Sequence, residues 1–369
     1  MTQLSLRAAL AEGSAGGPAV ARWSVSCIDP VIDPRWLALV EARGGGLFHS
    51  PPWLRVLSDA YGFDVRAYLA TEPGGKPCAG IAFCEVLDAL GPRLVSLPFS
   101  DRCDPLLDSA EAWQALFPRL EAHGVPLHLR CLDDGIATAD ERFAQAKKAR
   151  WHTLSLEATP EELWERLAEP TQRAVRRAER SGVVIRPLEG HQGLRGFVEL
   201  HIALRKQKYR LLAQPAAFFE AIARRFNDGG RWLPLGAYLD DRLIAATIYL
   251  RWGDTLYYKF NASAQDALQA RPNSLLAWAG ISMGHRLGCR LFDLGPSDDD
   301  QPGLIRFKRD LGAQEKELHF LRYTPPGWPS ERGAEVGRLL GQLTRLLTAP
   351  DVPHEVTARA GALFYRLFA

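Results

Sequence analysis

The sequence of 369 residues lacks the features of membrane, secreted and metal-binding chains. No apolar stretch reaches the roughly 18 residues that a membrane-spanning helix needs. The opening segment MTQLSLRAALAEG has no basic start followed by a solid apolar stretch, so it does not resemble a signal peptide. The six cysteines form no Cys-x-x-Cys pair and have no spaced histidine partners, which is typical of reduced thiols in a cytoplasmic protein.

Two further kinds of chemistry have no sequence signature here. There is no Gly-x-Ser-x-Gly, and the nine histidines are scattered, so nothing supports a hydrolase triad. The acidic run Ser297-Asp298-Asp299-Asp300 lacks the ligand spacing that a hard cation requires. We expect a solvated loop there, with a metal site as the less favoured alternative, and we expect no metal cofactor.

Length, composition and charge predict a soluble protein of two domains with a local anionic ligand. The chain is too long for one ordinary core, and 47% hydrophobic with 24% charged residues is typical of globular proteins. The formal net charge is only +2, yet residues 171–210 hold ten Lys or Arg against three Glu. Such a concentrated basic stretch favours a discrete anionic ligand over general nucleic-acid coating.

The pattern of apolar residues predicts alternating strands and helices in two units. The predicted divisions are a flexible N-terminus, a first unit, a second unit and a helical tail, at residues 1–20, 21–150, 151–328 and 329–369. In the first unit, segments such as RLVSLPFS are predicted strands, and segments such as PPWLRVLSDAYG are helices with proline in the first turn. The amphipathic tail favours packing on the body, with a partner or a membrane surface as the alternative.

The second unit has the most readable order of elements. A strand near Trp151 precedes a helix whose Thr159 and Glu162 fit a capping box. Basic helices follow, and then three strands joined by tight turns at Asp240-Asp241 and Gly253-Asp254 form an antiparallel meander. After the meander come a helix, a strand, a helix and a strand. This is the order of the acetyltransferase-type (GNAT) core.

In a GNAT core, the acyl donor lies where the third meander strand and the strand after the helix splay apart. On that template, residues 258–263 and 291–295 line one cleft. The turn before the helix, DALQARPNSLL, contains Arg271, Pro272 and a capping Asn273 but no glycine. GNAT enzymes that use acyl-CoA normally carry glycine there, because its backbone can approach a pyrophosphate closely. The order of elements favours acyl transfer, while this turn argues against the usual CoA mode.

Two groups of cations are candidates for holding donor or acceptor phosphates. Arg173, Arg176 and Arg177 share one helical face, and their mutual repulsion would be relieved by an anion. A solvated helix face is an equally good interpretation. Arg205 and Lys206 follow near the end of the next helix, where the helix dipole alone would favour cations.

Several segments resemble the Fem-type aminoacyltransferases and their GNAT-related relatives. These segments lie between residues 48 and 323 and include SLPFSDRCDPL, TQRAVRRAERSGV, YYKFNASAQDALQARPNSLLAWAGI and FDLGPSDDDQPGLIRFKRDLGA. The group contains peptidoglycan bridge-forming enzymes and acyltransferase-like proteins found with exopolysaccharide or cellulose synthesis. The resemblance implies an α/β (α+β) fold of two tandem GNAT-like domains, with mixed central sheets and flanking helices. The coiled-coil arm of some bridge-forming enzymes is absent, so the polysaccharide-linked relatives are nearer.

The resemblance also implies a reaction site. The Phe-Lys pair of the closing motif, here Phe307 and Lys308, lies at the reaction site in the family. Lys308 would neutralise a donor phosphate or the oxyanion formed in acyl transfer, and a structural salt bridge to Asp293 or Glu315 is the alternative.

Three further residues are assigned to the predicted cleft. Tyr258 and Asn261 would position the acyl group or protonate the leaving group, with sheet packing as the alternative. Asp293 could accept the amine proton through water, with a buried structural acid or substrate-assisted transfer as alternatives.

We therefore expect an acyl- or aminoacyl-transferase. Its donor would be acyl-CoA or aminoacyl-tRNA, and its acceptor an amine or hydroxyl of a polysaccharide, peptidoglycan or other cell-envelope precursor. The alternative is a non-catalytic module that kept the double-GNAT body.

Overall fold

One twelve-stranded sheet runs through the protein. The computed structural model describes residues 23–72, 75–132, 135–329 and 331–369, so the predicted flexible segment 1–20 lies outside the described residues. The strand order is β1-β2-β3-β4-β5-β12-β6-β11-β10-β9-β8-β7. The strands are β1 (Ser24–Ile28), β2 (Val65–Thr71), β3 (Pro77–Asp88), β4 (Gly91–Val95), β5 (Leu127–Cys131), β6 (Phe143–Ser155), β7 (Val184–Pro187), β8 (Trp232–Leu239), β9 (Arg242–Trp252), β10 (Thr255–Ser263), β11 (Leu291–Ser297) and β12 (Gln314–Tyr323).

Helices cover both faces of the sheet and begin largely where the sequence signals them. Ser50 caps one helix with proline in its first turn, and Thr159 with Glu162 forms the predicted capping box of another. The helices are α1 (Pro34–Ala42), α2 (Pro51–Tyr61), α3 (Ala110–Glu121), α4 (Pro160–Glu165), α5 (Glu169–Arg180), α6 (Gly190–Leu204), α7 (Ala216–Phe226), α8 (Pro272–Arg286), α9 (Pro302–Asp310), α10 (Glu331–Leu347) and α11 (His354–Phe364).

The two halves of the chain repeat one arrangement and exchange their last strands. In each half three antiparallel pairings are followed by one parallel pairing, β4 with β5 and β10 with β11. The strand that follows each parallel pair crosses over, so β6 pairs with β11 and β12 while β12 pairs with β5. The predicted boundary between residues 150 and 151 falls inside β6. Each half therefore completes the sheet of the other.

The parallel pair in the second half opens where the GNAT template predicts. β10 and β11 pair from Thr255–Leu291 to Tyr257–Asp293, and no further pairing follows along them. An irregularity in β10 between Tyr258 and Phe260, and one in β11 between Asp293 and Gly295, mark the divergence. The α/β fold with a mixed sheet and the predicted meander are thereby confirmed.

One predicted strand is shorter than expected, and one strand was not predicted. The segment RLVSLPFS does not continue as a strand, because β4 ends at Val95 and both Leu97 and Phe99 have a φ of 57°. That left-handed backbone turns the chain toward the second half. The short strand β7 was not predicted, since its four residues at the sheet edge carry no clear alternation.

The C-terminal tail packs on the body through a small set of specific contacts. The Tyr365 ring lies 5.1 Å from the ring of Phe99 and 6.3 Å from that of Tyr61. A Cβ at Gly361 would lie against the carbonyl oxygen of Ala213, so α11 approaches the body closely at this position. The inner face of the tail is thus part of the folded core.

Buried histidines predict that acid will destabilise this fold. Burial lowers the pKa to about 4 in four of them, His49, His128, His152 and His201. In the unfolded chain they bind protons near pH 6.5, so stability is complete above that pH and is lost as the pH falls toward 4. Each such histidine changes the free energy of unfolding by up to about 1.4 kcal/mol per pH unit in this range.

We expect His201→Gln to make the loss of stability between pH 6.5 and 4 shallower than in the wild type. The unfolding midpoint in urea, measured at several pH values, tests this. His191→Gln is the matched control, because His191 is exposed on the first turn of α6. Equal slopes for His201→Gln and the wild type would contradict the assignment.

Candidate functional site

The backbone of Gly295 joins the two ionisable residues predicted for the site. Its N–H donates to Oδ1 of Asp293 at 2.8 Å, and its carbonyl oxygen accepts from Nζ of Lys308 at 2.9 Å. Lys308 makes a second bond, to the carbonyl oxygen of Pro296 at 2.8 Å. Gly295 has a φ of 67°, a backbone conformation that favours glycine. This turn brings Asp293 and Lys308 together just past the point where β10 and β11 separate.

Burial sets the protonation of this pair. Asp293 is 3% exposed and Lys308 4% exposed. Burial raises the pKa of Asp293 to about 7, an effect that the charge of Arg102 opposes. Burial lowers the pKa of Lys308 to about 7, and the carboxylates of Asp101 and Asp293 oppose that shift. Near neutral pH both groups can therefore exchange a proton.

Lys308 bonds to backbone carbonyls and not to Glu315 or Asp293, the two salt-bridge partners considered for it. Glu315 pairs with Arg309 and Arg150 instead, with Nε of Arg309 and Nη1 of Arg150 at 2.5 and 3.0 Å from its carboxylate oxygens. Asp293 accepts the N–H of Gly295. The partners of the Lys308 ammonium group are backbone carbonyls, which use two of its three N–H bonds.

The first half of the chain forms one wall of the site. The hydroxyl oxygen of Tyr257 accepts the N–H of Leu47 at 3.1 Å, and its pKa is raised to about 12 by burial and by Asp293. Arg102 lies over the ring of Trp151 at 5.5 Å and forms an ion pair with Asp104 at 3.0 Å. Sequence reasoning missed Arg102 because it gave the first half no role in the site, and it did not assign Tyr257 on β10.

A second buried cation lies beside that wall. The side chain of Lys259 is 4% exposed and its Nζ lies 2.6 Å from Oδ1 of Asp101. It also lies 4.8–5.5 Å from the centres of three aromatic rings, those of Phe48, Trp53 and Phe260. Aromatic faces and one carboxylate thus replace its water shell.

The other predicted residues of β10 lie on the face of the sheet that packs against α8. The Tyr258 ring packs 5.6 Å from Tyr249 and 6.2 Å from Phe292, and burial raises its pKa. Nδ2 of Asn261 donates to Oγ1 of Thr247 at 2.9 Å. A further amide, Nδ2 of Asn273, donates to Oγ of Ser263 at 3.2 Å. These bonds form a polar network across β9, β10 and the start of α8.

The start of α8 differs from the prediction. Asn273 is not the capping residue, because the helix begins at Pro272 and Arg271 occupies the cap with a φ of 58°. Arg271 thus adopts the left-handed conformation that glycine would adopt at lower cost. Phe307, on α9, packs against the apolar cluster that includes Leu311 and Phe292.

The structure separates the two basic groups. On α5 the predicted arginines are exposed; Arg173 pairs with Glu169, and Arg176 lies over the ring of Trp164 at 5.3 Å.

The second basic group, Arg205 and Lys206, donates hydrogen bonds to backbone carbonyls of the same chain. Lys206 is buried and donates to the carbonyl oxygen of Val352, and Nε of Arg205 donates to that of Leu212 at 3.1 Å. The Lys206 contact holds the tail and the Arg205 contact fixes the segment after α6, so neither residue belongs to the site that we propose below.

A cleft of about 820 Å³ opens beside the wall formed by the first half. Arg102 is shared between this cleft and the surroundings of Asp293. Other residues that line it are Arg43, Gly44, Gly45, His49, Asp104, Lys316 and His319. Glu317 lines the cleft too, so three cationic side chains, Arg43, Arg102 and Lys316, face two carboxylates, Asp104 and Glu317.

Metal binding and membrane crossing find no support in the described part of the chain. In it, no group of three or more His, Cys, Asp or Glu residues is arranged to hold a metal ion. The helices of those same ranges include none with the length and hydropathy to cross a membrane.

Comparison with known proteins defines the fold class. Residues 170–309 match the family model described as an acetyltransferase (GNAT) domain. A crystal structure of FemX covers 86% of this chain and 100% of its own, with TM-score 0.61 and 14% identity. A tandem GNAT protein from the clavulanic acid biosynthesis pathway covers 84% of this chain and 100% of its own, with TM-score 0.56 and 15% identity.

A third structure, of L-PGS from Bacillus licheniformis, covers 84% of this chain and 97% of its own, with TM-score 0.53 and 13% identity. No curated protein sequence matches the chain. The protein therefore has the fold of the tandem GNAT proteins, and residues 170–309 of its second half are similar to the GNAT acetyltransferase domain.

The turn at Gly295 gives a testable difference between two glycines of the same segment. Gly295→Ala forces a side chain into the left-handed region, and the new Cβ would lie 3.4 Å from Oδ2 of Asp101. We expect a loss of about 1–2 kcal/mol in the free energy of unfolding. Gly303→Ala, on the first turn of α9 with nothing within 4 Å, is the control and should cost nothing. Urea denaturation measures both, and equal stabilities would contradict the strain assigned to Gly295.

Proposed function

We propose that the protein is an acyl- or aminoacyl-transferase that uses the buried Asp293–Lys308 pair. The observation that carries the proposal is the position of this pair, joined by Gly295 where β10 and β11 diverge. A buried acid and a buried amine that both exchange protons near neutral pH are what acyl transfer to an amine or hydroxyl requires. The GNAT match over residues 170–309 supports the same reaction class.

The chemistry assigns one role to each member of the pair. The acceptor amine or hydroxyl attacks the acyl carbonyl carbon, and its proton passes to the carboxylate of Asp293, directly or through water. Lys308 uses its remaining N–H to stabilise the oxyanion of the tetrahedral intermediate. The oxyanion then collapses, the acyl carbon separates from the oxygen or sulfur of the carrier, and that atom takes up a proton. Stabilisation of one oxyanion is typically worth about 3–4 kcal/mol of barrier.

The surroundings suggest where the two substrates lie. The cleft lined by Arg102, whose charge acts on Asp293, would take the acceptor, an anionic precursor of the cell envelope or of an exopolysaccharide. The network of Tyr258, Asn261 and Asn273 faces α8 and would hold the acyl group of the donor. The donor is an acyl-CoA or an aminoacyl-tRNA, and the exposed Arg173, Arg176 and Arg177 with Arg271 would bind its phosphates.

The outward face of the tail would allow contact with a membrane that carries a lipid-linked acceptor. Exposed leucines there alternate with arginines, as in Arg338-Leu339 and Arg345-Leu346.

A non-catalytic module is the second candidate, and one observation favours it. Two bonds from Lys308 to backbone carbonyls are also what a structural lysine makes. Such a module would bind a precursor in the cleft and transfer nothing.

Calorimetric titration with acetyl-CoA, and then with charged tRNA, identifies the donor. With that donor, we expect Lys308→Met to lower kcat about 100-fold or more while the circular dichroism spectrum stays unchanged. Lys148→Met is the control, because Lys148 is a half-exposed residue paired with Glu317. Full activity of Lys308→Met would exclude the role given to this lysine. Saturable donor binding without any turnover in the wild type would favour the non-catalytic module.

The pH dependence separates Asp293 from Lys308. Because the carboxylate of Asp293 accepts a proton and only the ammonium form of Lys308 has a third N–H, kcat/KM should rise with pH toward a maximum near 7 and fall above it. Asp293→Asn should remove this rise. A rise that persists in Asp293→Asn would assign the proton to another group.

A further inference from the structure

Near the site, the second half of the chain has more buried cations than buried carboxylates. Lys308 lies on α9 and Lys259 on β10, and both side chains are almost fully buried. On the same strands the second half supplies one buried carboxylate, that of Asp293. Two buried ammonium groups sharing one carboxylate would be strongly disfavoured.

The first half supplies the missing negative charge. Asp101 lies in the loop after β4, and its Oδ1 is 2.6 Å from Nζ of Lys259. Its other carboxylate oxygen faces Gly295, since a Cβ there would lie 3.4 Å from Oδ2. Asp101 thus lies between Lys259 on one side and Gly295, whose backbone binds Asp293 and Lys308, on the other.

We propose that Asp101 is a positioning residue for the Asp293–Lys308 pair, contributed by one half of the chain to the site of the other. By holding Lys259 against its aromatic neighbours, Asp101 keeps that ammonium group away from Asp293. Its negative charge also stabilises the protonated form of Lys308. This inference rests on the proposed function for its catalytic meaning, but its physical content can be tested without a substrate.

Several elements contribute charge around Lys308. The groups that face it are Asp101 in the loop after β4, Asp293 on β11, Lys259 on β10 and His152 on β6. His152 stays neutral above pH 5, because burial lowers its pKa to about 4. Across neutral pH, the charges that decide the titration of Lys308 are thus those of Asp101, Asp293 and Lys259.

The residues next to Asp101 are fixed by contacts with β5 and with the C-terminal tail. Nη1 of Arg130 donates to the carbonyl oxygen of Ser100 at 2.6 Å. The ring of Phe99 packs against Tyr365 from the tail at 5.1 Å. The loop that carries Asp101 is therefore fixed by β5 and by the C-terminal tail, as a positioning role requires.

The test is the NMR titration of Lys308 in protein labelled with ¹³C-lysine. The chain has only eight lysines, and the signal that disappears in Lys308→Met assigns the resonance. We expect Asp101→Asn to lower the titration midpoint of Lys308 by about one pH unit, because an anion near an ammonium group is lost. Lys259→Met should raise the midpoint by a similar amount, because a nearby cation is lost.

The double variant separates charge from packing. Asp101→Asn combined with Lys259→Met removes one charge of each sign, so the midpoint should return close to the wild-type value. A purely structural role for Asp101 would not produce opposite shifts that cancel. Asp298→Asn is the matched control, since Asp298 pairs with Lys147 in the nearby acidic loop and should leave the midpoint unchanged.

Each outcome decides the proposal. An unchanged midpoint in folded Asp101→Asn overturns it, and so does a midpoint that falls in Lys259→Met. If Asp101→Asn does not fold, the sign of the shift in Lys259→Met decides alone, and no rise means rejection. If the variants show these shifts but the wild-type protein transfers no acyl group, the proposed function is rejected. The positioning role of Asp101 then still stands.

Discussion

The site depends on burying an acid and an amine against the backbone of one residue, Gly295. The Gly295 N–H donates to Asp293 and its carbonyl oxygen accepts from Lys308, so the two side chains are held by the same residue. Glycine makes this geometry accessible, because the turn needs a positive φ and leaves little room beside Asp101. Burial then brings two groups with ordinary values of about 4 and 10 toward the same pKa. The chemistry that we propose follows from that constraint.

Strand exchange explains why this pair can be buried in a chain of two repeated halves. Because β6 lies between β11 and β12, Trp151 of the first half lies beside the second-half cleft and supports Arg102 over its ring. The loop after β4 then reaches Gly295, and the turn before α2 reaches Tyr257. A solitary second half would leave Tyr257, Lys259 and Asp293 without their cover. The first half therefore completes the site.

Local signals in the sequence predicted much of the fold, and together with the family resemblance they selected Asp293 and Lys308, which lie close together in the structure. The capping box at Thr159, the meander turns and the Phe-Lys motif each depend on residues close in the chain. Tyr257 and Lys259 were missed, since the irregularity between Tyr258 and Phe260 changes which side chains face the first half. Asp101 and Arg102 were missed because their neighbours in the second half, Lys259 for Asp101 and Asp293 for Arg102, lie more than 150 residues away, where no spacing rule applies.

The basic stretch of residues 171–210 shows how a charge signal can point to the wrong partner. Arg205 and Lys206 near its end were candidates for binding phosphates, yet Lys206 donates to the carbonyl oxygen of Val352, and the neighbouring Arg210 donates to that of Thr348, directly after α10. The Thr348 carbonyl follows a helix C-terminus and carries partial negative charge, so these cations have partners within the chain without any ligand. These bonds hold the tail, whose Tyr365 packs against the loop that carries Asp101. The basic residues thus support the site from a distance, by fixing the segment that delivers its negative charge.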